Sequence, residues 1–201
     1  PGRDAGLFQQ ALLRQVTGVQ EVEVKKASTA LPKLGGIEVA LVDGGFGIGG
    51  SYIKEDIDTA VGWVCDELPS SRPRHLLGIG EPEDLVGAVL RGVDLFDCVA
   101  PTRLARNGVL YTHGGKINLL NQKYTRDLSP VDRKCTCAVC KHYTRAYLAH
   151  LFRAKEMLAA SLASRHNLYF ILSLVRELRR TIAEGTVEKY AESFLMDYRG
   201  T

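Results

Sequence analysis

Apolar positions along the chain follow two periods in turn. Residues 4–15 (DAGLFQQALLRQ) have helical spacing, and 16–36 are interrupted by Val-Gly, Leu-Pro-Lys and Gly-Gly. From Ile37 the run IEVALVD predicts a strand, a glycine cluster follows, and KEDIDTAVGWVCDEL has the apolar period of a helix. RHLLGIG reads as a short strand, PEDLVGAVLRG as a helix opened by Pro82 and closed by Gly92, and VDLFDCVAP as another strand. Strand, helix, strand, helix, strand at this spacing predicts an α/β fold with parallel pairing through right-handed crossovers. In such a sheet functional residues sit at the C-terminal strand ends, which puts Gly44–Gly50, Gly78–Gly80 and Asp97–Thr102 on one rim. After Pro101 the alternation stops. VLYTHGGKINLLN predicts a hairpin, or a pair of short strands, around His113-Gly114-Gly115, and 143–183 read as helical with a break near Arg165–Asn167.

A chain of 201 residues, 45% hydrophobic and 24% charged, is expected to bury a core as one domain with a small insert. No apolar run reaches the roughly 18 residues a bilayer span needs, and no basic and apolar leader opens the chain, so a cytoplasmic protein without a membrane partner is expected. The formal charge of +3 conceals an asymmetry: between Pro101 and Lys155 eleven Lys or Arg face only Asp127 and Asp132, a net +9 that leaves −6 on the remainder. A basic segment on an acidic body suits a polyanion partner, or is a solvated face.

Three of the five cysteines crowd into Cys135, Cys137 and Cys140, a spacing poor for disulfides and good for one tetrahedral zinc. Histidine is the expected fourth ligand. His142 lies too near in the chain and His150 within a helix, whereas His166, at the expected helix break, can turn back toward the thiols. A closed site of three Cys and one His leaves no position for a reactive water, so the zinc is structural, one per chain.

Gly45-Phe-Gly-Ile-Gly-Gly50 fits the G-x-G-x-x-G pattern after a strand, with Asp66 near the spacing of a ribose-binding acid. It reads either as a nucleotide-cofactor loop or as a tight turn lining a base pocket. Asp97 ends an otherwise apolar strand, where an ionised carboxylate needs partners or a task. It fits a helix cap or loop anchor, or a nucleophile that attacks an anomeric carbon as in retaining glycosyl transfer. Arg103 and Arg106, three apart, can present guanidinium groups to phosphates or base edges.

The run GVDLFDCVAPTRLARNG, the following GKINLLNQKY, the cysteine cluster and TRAYLAHLFRAKEMLAASLASRHNLYF resemble the bacterial queuine tRNA-ribosyltransferases, or tRNA-guanine transglycosylases, over residues 74 to about 185. Upstream, Ile48-Gly49-Gly50 resembles the family's pocket-lining glycines, and Gly2-Arg-Asp-Ala the tail of its Val-Gln-Gly-Gly segment. Residues 16–36 depart from the pattern, and Ser51-Tyr52-Ile53 replaces the usual Leu-Ala-Val-Gly. The resemblance implies Asp97 as nucleophile, zinc on Cys135, Cys137, Cys140 and His166, and a base pocket lined by Gly49, Gly50, Leu77 and Gly78. It further implies tRNA contacts from Thr102, Arg103, Arg106 and Lys123, with the anticodon loop and a 7-deazaguanine as partners.

The implied fold is the C-terminal half of a (β/α)8 barrel: a partial barrel over 1–117, a zinc-binding subdomain over 118–172, and helices over 173–201 packing on the barrel. The family's second catalytic aspartate and its purine-reading aspartate belong to an N-terminal half, and neither motif is present. Little base exchange by the chain alone is therefore expected, together with a homo-oligomer or pairing with a missing half. The rival expectations are a non-catalytic zinc-containing module binding RNA or a partner, and a nucleotide-dependent oxidoreductase built on Gly45–Gly50.

Overall fold

The computed structural model describes residues 37–42, 44–50 and 57–200. The helix expected over 4–15, the irregular stretch 16–36, the Gly2 segment and Ser51-Tyr52-Ile53 lie outside the described residues. Four strands form one sheet in the order β1 (Ile37–Val42), β2 (Gly45–Gly50), β3 (Arg74–Leu77), β4 (Leu95–Asp97). The first pair is antiparallel, and β2, β3 and β4 run parallel. Their crossovers carry helices α1 (Ile57–Glu67) and α2 (Pro82–Leu90). The α/β class expected from the alternation is therefore the one observed.

The glycine cluster corrects the reading of a turn: it is strand β2, hairpinned onto β1. Glycine suits this strand because its neighbours crowd it. A Cβ on Gly45 would stand 2.7 Å from the carbonyl oxygen of Pro73, and one on Gly49 would stand 3.2 Å from Leu77 Cδ1. A phosphate-cradling loop must turn from a strand straight into a helix N-terminus, so an extended Gly45–Gly50 removes the nucleotide-cofactor loop.

One face of the sheet is covered. Ile48 and Leu76 are fully buried against Val61, Val64 and Ala88 of the crossover helices. Arg74 is buried beneath them, its Nη2 donating to Leu68 O and its Nη1 to Gly92 O, beyond the C-terminal ends of α1 and α2. A cation placed there satisfies carbonyls that the helices leave unpaired and opposes their dipoles. Among the described residues the other face is only partly covered, with His75 and Leu77 half-buried and Leu95 51% exposed.

Strand β4 ends at Asp97, earlier than VDLFDCVAP suggests, and helix α3 (Ala100–Arg106) follows at once with Pro101 in its first turn. The hairpin is as expected: β5 (Val109–Thr112) pairs antiparallel with β6 (Gly115–Asn118). A short 3-10 turn (Gln122–Tyr124) leads to helices α4 (Ala138–His142), α5 (Arg145–Arg153), α6 (Met157–Ala183) and α7 (Val187–Arg199).

The helical break expected at 165–167 is instead at 154–156, where Lys155 adopts φ 58°. The Arg-His-Asn run imitates a break because it is polar. His166 and Asn167 are nonetheless fully buried inside continuous α6, each with partners. Asn167 Nδ2 donates to the carbonyls of Pro101 (2.9 Å) and Val109 (3.1 Å), and its Oδ1 accepts from the Tyr111 amide (3.1 Å). One side chain thus ties α6 to both α3 and the hairpin. No described helix is long and apolar enough to cross a membrane.

Candidate functional site

Parallel register brings the expected rim residues into one row. Leu77 pairs with Asp97, and Ile48 with Leu76, so Gly49, Leu77 and Asp97 stand at the C-terminal ends of three adjacent strands. The backbone fixes this row: the Gly78 amide donates to Asp97 O at 3.0 Å as the chain leaves β3 with φ 77°. Next to it, the Cys98 side chain fills the space over Gly80, where an added Cβ would stand 2.3 Å from Cys98 Cβ. Cys98 Sγ also accepts from the Ala100 amide at 3.2 Å, pinning the turn between Asp97 and α3. Asp97 does not cap α3; the N-cap position is Val99. Its side chain is 54% exposed, with His75 Nε2 3.0 Å from Oδ1.

His75 was not singled out in the sequence. A period of two along RHLLGIG does place it on the face of Leu77, and that alternation was the available signal. Thr102 is half-buried, while Arg103 and Arg106 are exposed in the last turn of α3. Lys123 is exposed and lies 5.0 Å over the Tyr124 ring. Part of the basic segment serves the fold: Lys116 pairs with Glu81, Lys134 with Asp197 and Arg145 with Asp127. Hydrogen bonds from the Ser129 hydroxyl and amide, and then from Arg145, hold the Asp127 carboxyl below its ordinary value.

Cys135, Cys137, Cys140 and His166 converge, their four ligand atoms all within 4.8 Å of one another. His166 Nδ1 lies 4.0, 3.5 and 3.4 Å from the three sulfurs in turn. A tetrahedral zinc with bonds of about 2.0–2.3 Å has ligand-to-ligand edges of roughly 3.4–3.8 Å, so the donor set fits the ion in chemistry, with the Cys137 and Cys140 separations from His166 at those edges and the Cys135 one slightly longer. The knuckle is built locally, with Cys137 capping α4 and its Sγ accepting from the Cys140 amide at 3.3 Å. Crowding drives the Cys137 thiol down through Cys135 and Cys140, and drives Cys140 up through Cys135 and Cys137. A divalent cation relieves such competition by holding all three as thiolates. His142 and His150 are exposed; His166 reaches the thiols from within a helix, not by a chain break.

Asp132 supports the knuckle from behind and was also missed in the sequence. Its oxygens accept from the amides of His113 and Lys134, both at 2.9 Å, and His113 Nδ1 is 2.5 Å away. Burial acts to raise its carboxyl, but the bonds from the His113 ring and the two amides outweigh it and hold the group at about 2.

The family model described as queuine tRNA-ribosyltransferase matches residues 8–200. A queuine tRNA-ribosyltransferase of Caldanaerobacter subterraneus subsp. tengcongensis is 47% identical over 159 residues, 78% of this chain and 42% of that protein. That of Helicobacter hepaticus is 46% identical over 153 residues, 75% of the chain and 40% of the relative. That of Helicobacter acinonychis is 44% identical over 172 residues, 83% and 46%. The chain spans less than half the length of these relatives. With strand β4, the rim glycines and the Cys3His knuckle all inside the matched region, the chain belongs to the queuine tRNA-ribosyltransferase family.

Proposed function

We propose that this chain carries the nucleophile and the metal knuckle of a tRNA-guanine transglycosylase, a pentosyltransferase that exchanges guanine at the anticodon wobble position for a 7-deazaguanine. The observation that carries the reading is the row Gly49, Leu77, Asp97 at the C-terminal ends of three parallel strands, where α/β enzymes of this layout keep their chemistry. The parallel strands with their crossover helices form part of a (β/α)8 barrel, residues 118–172 its zinc-binding subdomain, and 173–201 helices that pack on the barrel.

In the reaction a flipped guanosine enters between Gly49, Gly50, Leu77 and Gly78. An Asp97 oxygen forms a bond to C1′ as the electron pair of the glycosidic C–N bond leaves with guanine, which takes up a proton. The deazaguanine nitrogen then displaces the carboxylate and gives up its proton, and two inversions retain configuration. Thr102, Arg103, Arg106 and Lys123 hold the anticodon loop through phosphates and base edges. Zinc, when bound by Cys135, Cys137, Cys140 and His166, supplies a structural cross-link and no reactive water.

The test uses tRNA labelled in the wobble guanine. It is incubated with the chain alone and with the unmatched N-terminal portion of the Caldanaerobacter relative supplied in trans. Little release by the chain alone is expected, and with the N-terminal portion supplied, label release and a covalent protein–RNA adduct on a denaturing gel, both abolished by Asp97→Ala. RNA binding without release or adduct in either arm would favour a non-catalytic RNA-binding module.

A further inference from the structure

His75 and Leu77 share one face of β3, and Leu95 and Asp97 share the adjoining face of β4, with His75 opposite Leu95 and Leu77 opposite Asp97. The His75 ring leans one step along the strands, a diagonal within reach of a long side chain, and sets Nε2 3.0 Å from Asp97 Oδ1. Nε2 is enclosed and has no hydrogen-bond partner among the described residues, although Asp97 Oδ1 lies only 3.0 Å from it. A buried ring nitrogen without a partner is costly, whereas the carboxylate beside it is 54% exposed and has room to rotate onto it.

We propose that His75 is the positioning residue of the Asp97 nucleophile: its Nε2–H takes hold of Oδ1 so that the second carboxylate oxygen faces the ribose C1′. This rests on the transglycosylase reading above. In-line displacement separates this role from proton donation to the departing base. The bond formed by Asp97 and the bond broken to guanine lie on opposite sides of C1′, so a group touching the carboxylate is on the wrong side of the sugar. Holding one oxygen costs nucleophilicity, because the same bond stabilises the resting anion. The gain is orientation, where a misplacement of about 1 Å is worth on the order of 100-fold in rate.

The experiment measures single-turnover adduct formation on wobble-labelled tRNA by wild type, Asp97→Ala, His75→Leu, His75→Gln and His75→Asn, with the relative's N-terminal portion supplied. His75→Leu is expected to slow adduct formation about 10- to 100-fold with tRNA affinity unchanged within about twofold. His75→Gln, whose amide reaches Oδ1, is expected to restore most of the rate, and His75→Asn, one methylene shorter, is not. If His75→Leu melts early, the comparison of Gln with Asn carries the test. A wild type that makes no adduct sinks the transglycosylase reading itself. A wild type that reacts while His75→Leu or His75→Asn matches it overturns the positioning role alone, as does an equal loss in Gln and Asn with weakened tRNA binding.

Discussion

His166 Nε2 lies 2.7 Å from the carbonyl oxygen of Tyr111, which orients the ring so that Nδ1 faces the three cysteine sulfurs. A backbone acceptor behind a ligating histidine fixes its tautomer and direction, so the site is set for metal by the fold itself. Elemental analysis of the purified chain is expected to give one zinc per polypeptide. His166→Ala and Cys137→Ser are expected to lose most of it and to lower Tm by on the order of 10 °C. Zinc retained in full by His166→Ala would place the fourth ligand elsewhere.

Arg74→Met tests the buried cation. It leaves the carbonyls of Leu68 and Gly92 without their guanidinium partner, and the expected loss is roughly 2–4 kcal/mol in urea denaturation. A neutral result would mean that water takes over both carbonyls.

The pH dependence follows from Asp132. Its carboxyl is held at about 2 in the fold, below the ordinary 3.8, so it stabilises the native state above pH 4, and that contribution is lost as pH falls from about 4 toward 2. Asp132→Asn is therefore expected to cost on the order of 2 kcal/mol at pH 7, with the gap to wild type closing below pH 4. Chemical denaturation of both proteins across that range is the measurement. A gap independent of pH would show that the carboxylate's charge is not what matters.

Gly80→Ala probes the seat of Asp97, the nucleophile of the proposed reaction. The new methyl would meet Cys98 at 2.3 Å, and the strain must move the residue next to Asp97. Label release is expected to fall at least about 10-fold while zinc content and overall helicity hold. Undiminished release would mean that the turn absorbs the methyl without shifting Asp97.

What the sequence disclosed and what it hid divide along physical lines. The three cysteines declare themselves by density, and Asp97 by its place at the end of an apolar strand. Strand β2 stayed hidden because glycine is poor in strands and its reason for being there, the closeness of Pro73 and Leu77, is tertiary. The seven residues of α3 are too few for a helical period to register, although Pro101 is a helix-start residue. His166 and Asn167 imitated a helix break because burial of polar groups is intelligible only once their partners, from 55 to 66 residues upstream, are known. His75 carried only a strand alternation, and its relation to Asp97 is a matter of pairing register.

The tie between Tyr111 and the His166–Asn167 pair also sets an order of events during synthesis. Strand β5 emerges about 55 residues ahead of the two side chains that bond its backbone. At roughly 5–20 residues per second, the Tyr111 amide and carbonyl wait for some 3–10 s, a time in which a two-stranded hairpin has formed and opened many times over. The hairpin can therefore be only provisional on the ribosome. The same turn of α6 that completes the thiolate cluster also closes on α3 and β5, so the region around Asp97 becomes fixed only when residues 166 and 167 arrive.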